Sequence, residues 1–311
     1  IYTKYFEGFG FTERTGIDML GEASNAGLYH TEAQLAKEES AMATSSFGQT
    51  FKVTPIQMIT AFCAVANGGK LMTPYVVGQV LDADGNVIST TKPAVKRQVI
   101  SASTSQRVSK MLADAVNGGG SKNAYVAGYR VAGKTGTSEK RDMQGNQVVA
   151  SFAGFAPADD PEIAVLVLLD QPQSRIRYGG TISAPVAQKI FDAVLPYLGV
   201  EPAFTAEELA KLSRTTPNTV GKEKAAALTQ LSGSGLKAIV VGEGATVVRQ
   251  CPEAGQSVPS GGTVLLYTEE GGDQTVKMPG LTGRTVTEVN TIASSMGLNV
   301  QLTGLVVGSG G

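Results

Sequence analysis

The chain has 311 residues, enough for two domains with separate cores. Its 26 Lys and Arg nearly balance 27 Asp and Glu, which removes the basic footprint expected of a nucleic-acid binder and the acidic excess of a disordered tail. Plentiful Gly, 38 residues, with no Trp suits turn-rich mixed structure rather than a helical bundle. In chain order, the segment TPIQMITAFCAVANGG predicts a buried helix from Thr54, with capping-box spacing (Thr54, Gln57), Pro at the first helical position and a closing Gly pair. Tyr75 to Val87 reads as a hairpin turning at Asp84-Gly85. A second helix is expected from Thr104 to Val116, burying Val108, Met111, Leu112 and Ala115 and stopping at Gly118-Gly119-Gly120. Three apolar strands follow, Tyr129 to Ser138, Gln147 to Ala156 and Ile163 to Asp170. The first two turn at Gln144-Gly145-Asn146, so a three-stranded antiparallel meander is the economical arrangement, covered by a helix from Ser183 to Leu198.

The character of the chain changes near Gly199, where a polar connector begins, and beyond it an internal repeat emerges. Sliding the chain by 62 residues brings Pro217 onto Pro279, Gly221 onto Gly283, Gly235-Leu236 onto Gly297-Leu298 and Gly242 onto Gly304. Each copy runs from a Pro through a short loop, a helix and Gly-Leu into a strand. The expected division is a main domain over 1–198, a linker over 199–216, one repeat over 217–270 and a second, incomplete repeat over 276–311.

Several chemistries can be set aside on residue supply. Cys63 and Cys251 are too few and too far apart for a disulfide framework or a zinc site, and His30, expected on a surface or loop, is the only histidine. That leaves no Ser-His-Asp triad, and no metal or cofactor is expected. No apolar run reaches membrane-spanning length and no signal peptide opens the chain, which begins at Ile1; further sequence is expected upstream. The strongest local signal is Gly133-Lys134-Thr135-Gly136-Thr137-Ser138. It lies inside a predicted strand and lacks the glycine spacing and following helix of a phosphate loop. Taken alone, Lys-Thr-Gly also suits any surface strand.

The surrounding motifs decide between these. TGIDMLGE at Thr15 to Glu22, FGQTFKVTPIQM at Phe47 to Met58, ANGGKLMTPYVV at Ala66 to Val77 and VAGKTGTSEK at Val131 to Lys140 follow the order and spacing of class B high-molecular-weight penicillin-binding transpeptidases. The first 198 residues resemble the C-terminal part of that domain, and the repeats resemble PASTA modules, a pairing found in sporulation and division members of the family. The resemblance implies an α/β (α+β) fold like that of the β-lactamases, with an antiparallel sheet and covering helices, followed by small α+β PASTA modules. It implies serine D,D-transpeptidase chemistry on peptidoglycan stem peptides ending in D-Ala-D-Ala, reactivity with β-lactams, and a membrane anchor upstream placing the domain on the extracytoplasmic face. Muropeptides and division or sporulation proteins are further implied partners. On this reading Lys134 brings positive charge to the stem's terminal carboxylate, Thr135 and Thr137 donate hydroxyls to it, and Gly136 clears the strand edge for an extended peptide. The Thr137 backbone N–H forms half of an oxyanion hole, with Ser138 beside the site.

The family's nucleophile, in Ser-x-x-Lys, and its Ser-x-Asn motif would both precede TGIDMLGE, and this stretch alone is expected to be inactive. Three segments share those spacings by chance: Ser89 to Lys92, Ser234 to Lys237 and Ser121-Lys122-Asn123. Gly179-Gly180-Thr181 reads equally as cleft lining or tight helix entry, while Met42, Phe47, Phe51 and Met58 read as core. Two other functions compete: a β-lactam sensor or β-lactamase-like domain, and a catalytically silent wall-binding scaffold.

Overall fold

The computed structural model describes residues 1–140 and 147–271, with 277–282, 284, 289, 292–293, 295–296 and 298–300. The chain divides into two compact units, Ile1–Leu195 and Pro196–Gly311.

The first unit begins with α1 (Tyr2–Gly8), whose buried Phe6 meets the rings of Phe11 (5.2 Å between centroids), Tyr29 (5.7 Å) and Phe51 (5.1 Å, edge-on). This aromatic knot ties three loops to one helix. After α2 (Glu32–Leu35), α3 (Glu39–Ser45) buries only Ala41 and Ser45, one turn apart on a single stripe. Met42 and Phe47 fall off that stripe and are exposed, 37% and 69%, so their expected place in the core is corrected; Phe51 and Met58 are half-buried.

The expected helix from Thr54 is α4 (Pro55–Ala66), with the capping box and initiating proline in place. Its Gln57, 2% exposed, does more than cap. Oε1 accepts from Thr54 N (2.8 Å), and Nε2 donates to Glu13 O (2.7 Å) and Asn25 Oδ1 (3.1 Å), pinning the 10–25 loop to the helix. In the same loop, Glu22 accepts from Thr15 N (2.6 Å), Thr15 Oγ1 (2.7 Å) and Gly16 N (3.0 Å). The Asp18 carboxylate accepts from Val76 N (2.8 Å) and Val77 N (2.9 Å). TGIDMLGE is thus a loop stapled by its own two acids.

β1 (Lys70–Thr73) pairs with a strand beyond the hairpin formed by β2 (Gln79–Leu81) and β3 (Val87–Thr90); that partner is β4 (Ala94–Gln98). The hairpin turns at Asp84-Gly85 as expected, with Gly85 at φ 86, but its strands lie a few residues later than predicted and are exposed throughout. α5 (Ala102–Asn117) follows, capped by Ser101. Its buried stripe is Ser105, Ser109, Ala113 and Val116, one residue around from the predicted face; Met111 is 61% exposed. Val108, Leu112 and Ala115 of the predicted face are half-buried, and serines join the stripe because α5 lies close to α4, near enough for Ser105 Oγ to donate to Val65 O.

The expected meander is present as β5 (Ala132–Glu139), β6 (Val148–Ala156) and β7 (Ile163–Asp170), antiparallel in that order. The predicted turn at 144–146 lies outside the described residues. Ala132, Phe155 and Ala164 from the three strands pack with Ala113 and Leu112 of α5 and with Phe62 and Val65 of α4. The predicted last helix opens with a separate turn, α6 (Gly179–Ile182), before α7 (Ala184–Tyr197).

In the second unit, α8 (Ala206–Leu212) leads directly into β8 (Ser213–Thr215), within the stretch expected to be linker. After α9 (Lys224–Gly233) come β9 (Lys237–Val241), β10 (Arg249–Cys251), β11 (Ser257–Pro259) and β12 (Thr263–Tyr267). β12 runs parallel to β9 and antiparallel to β10, and β8 pairs with β11. α9 supplies Ala227 and Leu231 to a core with Leu236, Val247, Val258, Val264 and Leu266. Buried Gln250 saturates its amide on Thr219 N and Oγ1 (both 2.7 Å) and on Pro217 O and Pro252 O (both 3.1 Å). Of the second repeat, Gly283, Gly297 and Gly304 lie outside the described residues.

Candidate functional site

β5 is an edge strand, and its free edge is where the predicted site residues meet. In an antiparallel ladder alternate residues turn their N–H and C=O toward the partner strand. Thr135 N donates to Ser121 Oγ (3.3 Å) and Thr137 O accepts from Gln49 Nε2 (3.5 Å), so Thr135 and Thr137 face away from β6. On that edge the Thr137 N–H has no partner among the described residues. Lys134 extends its ammonium along the same edge and donates to Thr135 O (2.8 Å).

Glycines let the strand fit its surroundings. A Cβ on Gly133 would lie 2.3 Å from the Phe152 ring, and one on Gly179 would lie 2.2 Å from Gly136 O and 2.3 Å from Ser151 O. Gly179 therefore sits hard against the β5–β6 ladder, and from there its N–H donates to Thr137 Oγ1 (3.0 Å). With one lone pair engaged, that hydroxyl has its own proton free to donate. Gly136 differs: a Cβ there would meet only Ser151 Oγ at 2.5 Å, which a rotation of that side chain relieves. Packing alone does not require this glycine, in keeping with an open edge.

Two segments flank the edge. On one side the turn at Ser121 to Ala124 buries Ser121, 2% exposed, against β5, while Asn123 Nδ2 donates to Gly180 O (2.7 Å). On the other, Gln49 arrives on a loop whose next residue, Thr50, has φ 67; Thr50 Oγ1 shares hydrogen bonds with Thr44 Oγ1 (3.0 Å) and Ser45 Oγ (3.1 Å). Beyond Gln49 a cleft of about 640 Å³ continues along Ser138, Glu139 and Lys140, with Tyr29, His30 and Thr50 opposite. Lys140 pairs with Asp170 (2.7 Å), tying the end of β5 across the sheet to β7.

The structure thus brings Lys134, Thr135, Gly136, Thr137 and Ser138 onto one edge. It also places Ser121-Lys122-Asn123 at that edge, although their spacing was attributed to chance; Ser89 to Lys92 and Ser234 to Lys237 lie on the exposed hairpin and in the second unit. Gln49, Ser121, Asn123 and Gly179 were missed as site neighbours. Gln49 lies within FGQTFKVTPIQM and the Gly179-Gly180 pair stands before a helix, but only the fold shows what either touches. Cys63 in α4 and Cys251 are free thiols, and burial pushes the Cys63 thiol up. Among the described residues no group of three His, Cys, Asp or Glu is placed to hold a metal, and no helix is long and apolar enough to cross a membrane.

Comparison with known proteins matches residues 2–192 to the penicillin binding protein transpeptidase domain and residues 214–270 to the PASTA domain. Stage V sporulation protein D of Bacillus subtilis is 38% identical over 284 residues, 86% of this chain and 42% of that protein. Peptidoglycan D,D-transpeptidase FtsI of Escherichia coli K12 is 33% identical over 198 residues, 62% of this chain and 31% of that one. Among solved structures, penicillin-binding protein 3 of Mycobacterium tuberculosis complexed with aztreonam superposes with a TM-score of 0.56 at 31% identity, covering 64% of this chain and 46% of that one. The chain spans less than half the length of these relatives.

Proposed function

This chain belongs to the penicillin binding protein transpeptidase family, and from that premise we propose that the protein containing it is a peptidoglycan D,D-transpeptidase whose nucleophilic serine lies in sequence preceding Ile1. That serine attacks the carbonyl between the two D-alanines of a stem peptide and expels D-alanine as the amine. The acyl group then passes to an amine of a neighbouring stem, regenerating the hydroxyl. The unpartnered Thr137 N–H on the open edge of β5 is the observation that carries the reading. It is a backbone donor with no acceptor among the described residues to give up when an oxyanion forms beside it.

The remaining roles follow from position. Lys134 supplies positive charge, and the Thr135 and Thr137 hydroxyls donate to the substrate carboxylate, the latter oriented by Gly179. Gly136 admits the peptide backbone and Ser138 borders its path. β-Lactams acylate the same serine, because their strained amide stands in for the peptide bond. Similarity to the stage V sporulation protein across 86% of this chain, into the repeat region, supports a sporulation type. An anchor upstream and an extracytoplasmic location go with that assignment, as does a connector that ends before β8, whose pairing with β11 makes Ser213–Thr215 part of the repeat region.

Labelling with a fluorescent penicillin tests the reading on this chain and on a protein extended upstream, each with and without Lys134→Ala. Labelling of the extended protein alone, weakened at least tenfold by the substitution, is expected. Absence of labelling in both would leave a wall-binding scaffold as the function.

A further inference from the structure

We propose that Gln49 is a specificity-determining residue, whose side-chain amide occupies the Thr137 carbonyl and must leave it before a ligand amide can take that acceptor. The proposal rests on the transpeptidase reading of the β5 edge and adds a residue to it.

An extended ligand whose carboxylate lies near Lys134 and whose reacting carbonyl lies at Thr137 N–H runs antiparallel to β5. The part of it preceding the reacting carbonyl then heads toward Glu139. The first group met on that course is the Thr137 carbonyl, the natural acceptor for the ligand's amide N–H. In the structure this acceptor is already taken, by a primary amide: Gln49 Nε2 at 3.5 Å. The bond is long for its type and therefore readily exchanged.

Its bearer is not a wandering surface side chain. Gln49 N donates to Thr44 O (3.0 Å), the following Thr50 holds an uncommon positive φ of 67, and the hydroxyls of Thr44 and Ser45 brace Thr50 Oγ1. A backbone held in this conformation outside glycine is stabilised by its surroundings, and here they aim one amide at one carbonyl. The cleft of about 640 Å³ begins at Gln49 and is lined by Tyr29, His30, Ser138, Glu139 and Lys140, so a side chain leaving Thr137 has room beside the incoming ligand.

Ligands then divide by whether they carry an amide N–H next to the reacting carbonyl. Stem peptides and penicillins do, and must exchange places with Gln49. A carbapenem, which bears a hydroxyethyl group at that position, leaves Gln49 where it is.

The test measures second-order acylation rates of the upstream-extended protein with benzylpenicillin and with a carbapenem, for the unsubstituted protein, Gln49→Ala and Gln49→Met. Removing the competitor is expected to speed benzylpenicillin by about threefold, the exchange value of a weak hydrogen bond, with the carbapenem rate unchanged. Gln49→Met keeps the bulk without the donor and is expected to match Gln49→Ala. Equal changes for both β-lactams, or an effect in Gln49→Ala alone, would mean that Gln49 acts through packing, and the proposal falls while the transpeptidase reading stands. No acylation of the unsubstituted protein by either compound overturns both.

Discussion

Two exposed strand arrangements in the first unit are held in opposite ways. The β2–β3 hairpin closes on itself: the Asp82 carboxylate accepts from Asp84 N (2.9 Å), Asn86 N (2.8 Å) and Asn86 Nδ2 (3.0 Å), all within four residues. The edge of β5 is dressed by groups 14, 42 and 88 residues away, namely Ser121, Gly179 and Gln49. A strand held locally can be altered without consequence elsewhere. A strand held at a distance reports on the whole unit, and a recognition edge gains from that, since its donors and acceptors stay fixed before any ligand arrives.

The sharpest way to break the contrast is Gly179→Ala. The added methyl would lie 2.2 Å and 2.3 Å from two backbone carbonyl oxygens that belong to the β5–β6 ladder, and neither can rotate away. Relief requires α6 to lift off the sheet, which also withdraws the donor from Thr137 Oγ1. Thermal unfolding is expected to show a loss of about 3 kcal/mol or more, at the upper end for overpacking. Gly180→Ala is the internal control: its nearest neighbour, Gly120 O, would lie 3.1 Å away, and only a small shift is expected. Equal destabilisation by the two would mean that α6 does not lie tight against the ladder.

The same contrast explains what the sequence could disclose. α4 was legible because every signal for it is local: Thr54, Pro55, Gln57 and an apolar run. The meander was legible for the same reason, since alternation and turn residues are short-range properties. β1 and β4 escaped because their pairing spans the whole hairpin and neither alternates: β1 buries Leu71 alone and β4 buries no residue. α5 is legible too, but of its predicted face Met111 is exposed while Val108, Leu112 and Ala115 are half-buried, and hydrophobicity gives no hint that Ser105 is buried against α4. In the site, the Lys-Thr-Gly residues announced themselves through surrounding motifs. Ser121 and Gln49 did not, for nothing in a serine or a glutamine says which distant backbone group it will meet.

A middle-sized effect sharpens the comparison along the pH axis. Glu22 sits below its ordinary value: burial pushes its carboxyl up, but the hydrogen bonds from Thr15 and Gly16 outweigh that. Asp18 is held down by the N–H groups of Val76 and Val77. For a carboxyl depressed on folding, the added stability is fully present above the unfolded pKa and disappears as pH falls through the folded one. The first unit should therefore lose stability below about pH 4. Unfolding measured from neutral to acid pH is expected to give a shallower acid limb for Asp18→Asn with Glu22→Gln, from a lower starting stability. A limb of unchanged slope would show that other groups govern acid unfolding.

The smallest effect belongs to the hairpin. Asp82→Ala removes three hydrogen bonds at once, more than Gly179→Ala disturbs by count. All three are solvent-exposed, however, so water replaces the lost acceptor at little cost, and the strands they join bury no residue. Unfolding is expected to change within the scatter of the measurement, with β-lactam acylation of the upstream-extended protein untouched. A larger loss, or any change in acylation, would show that the hairpin is coupled to the sheet and that its bonds, though local, serve more than the turn they close.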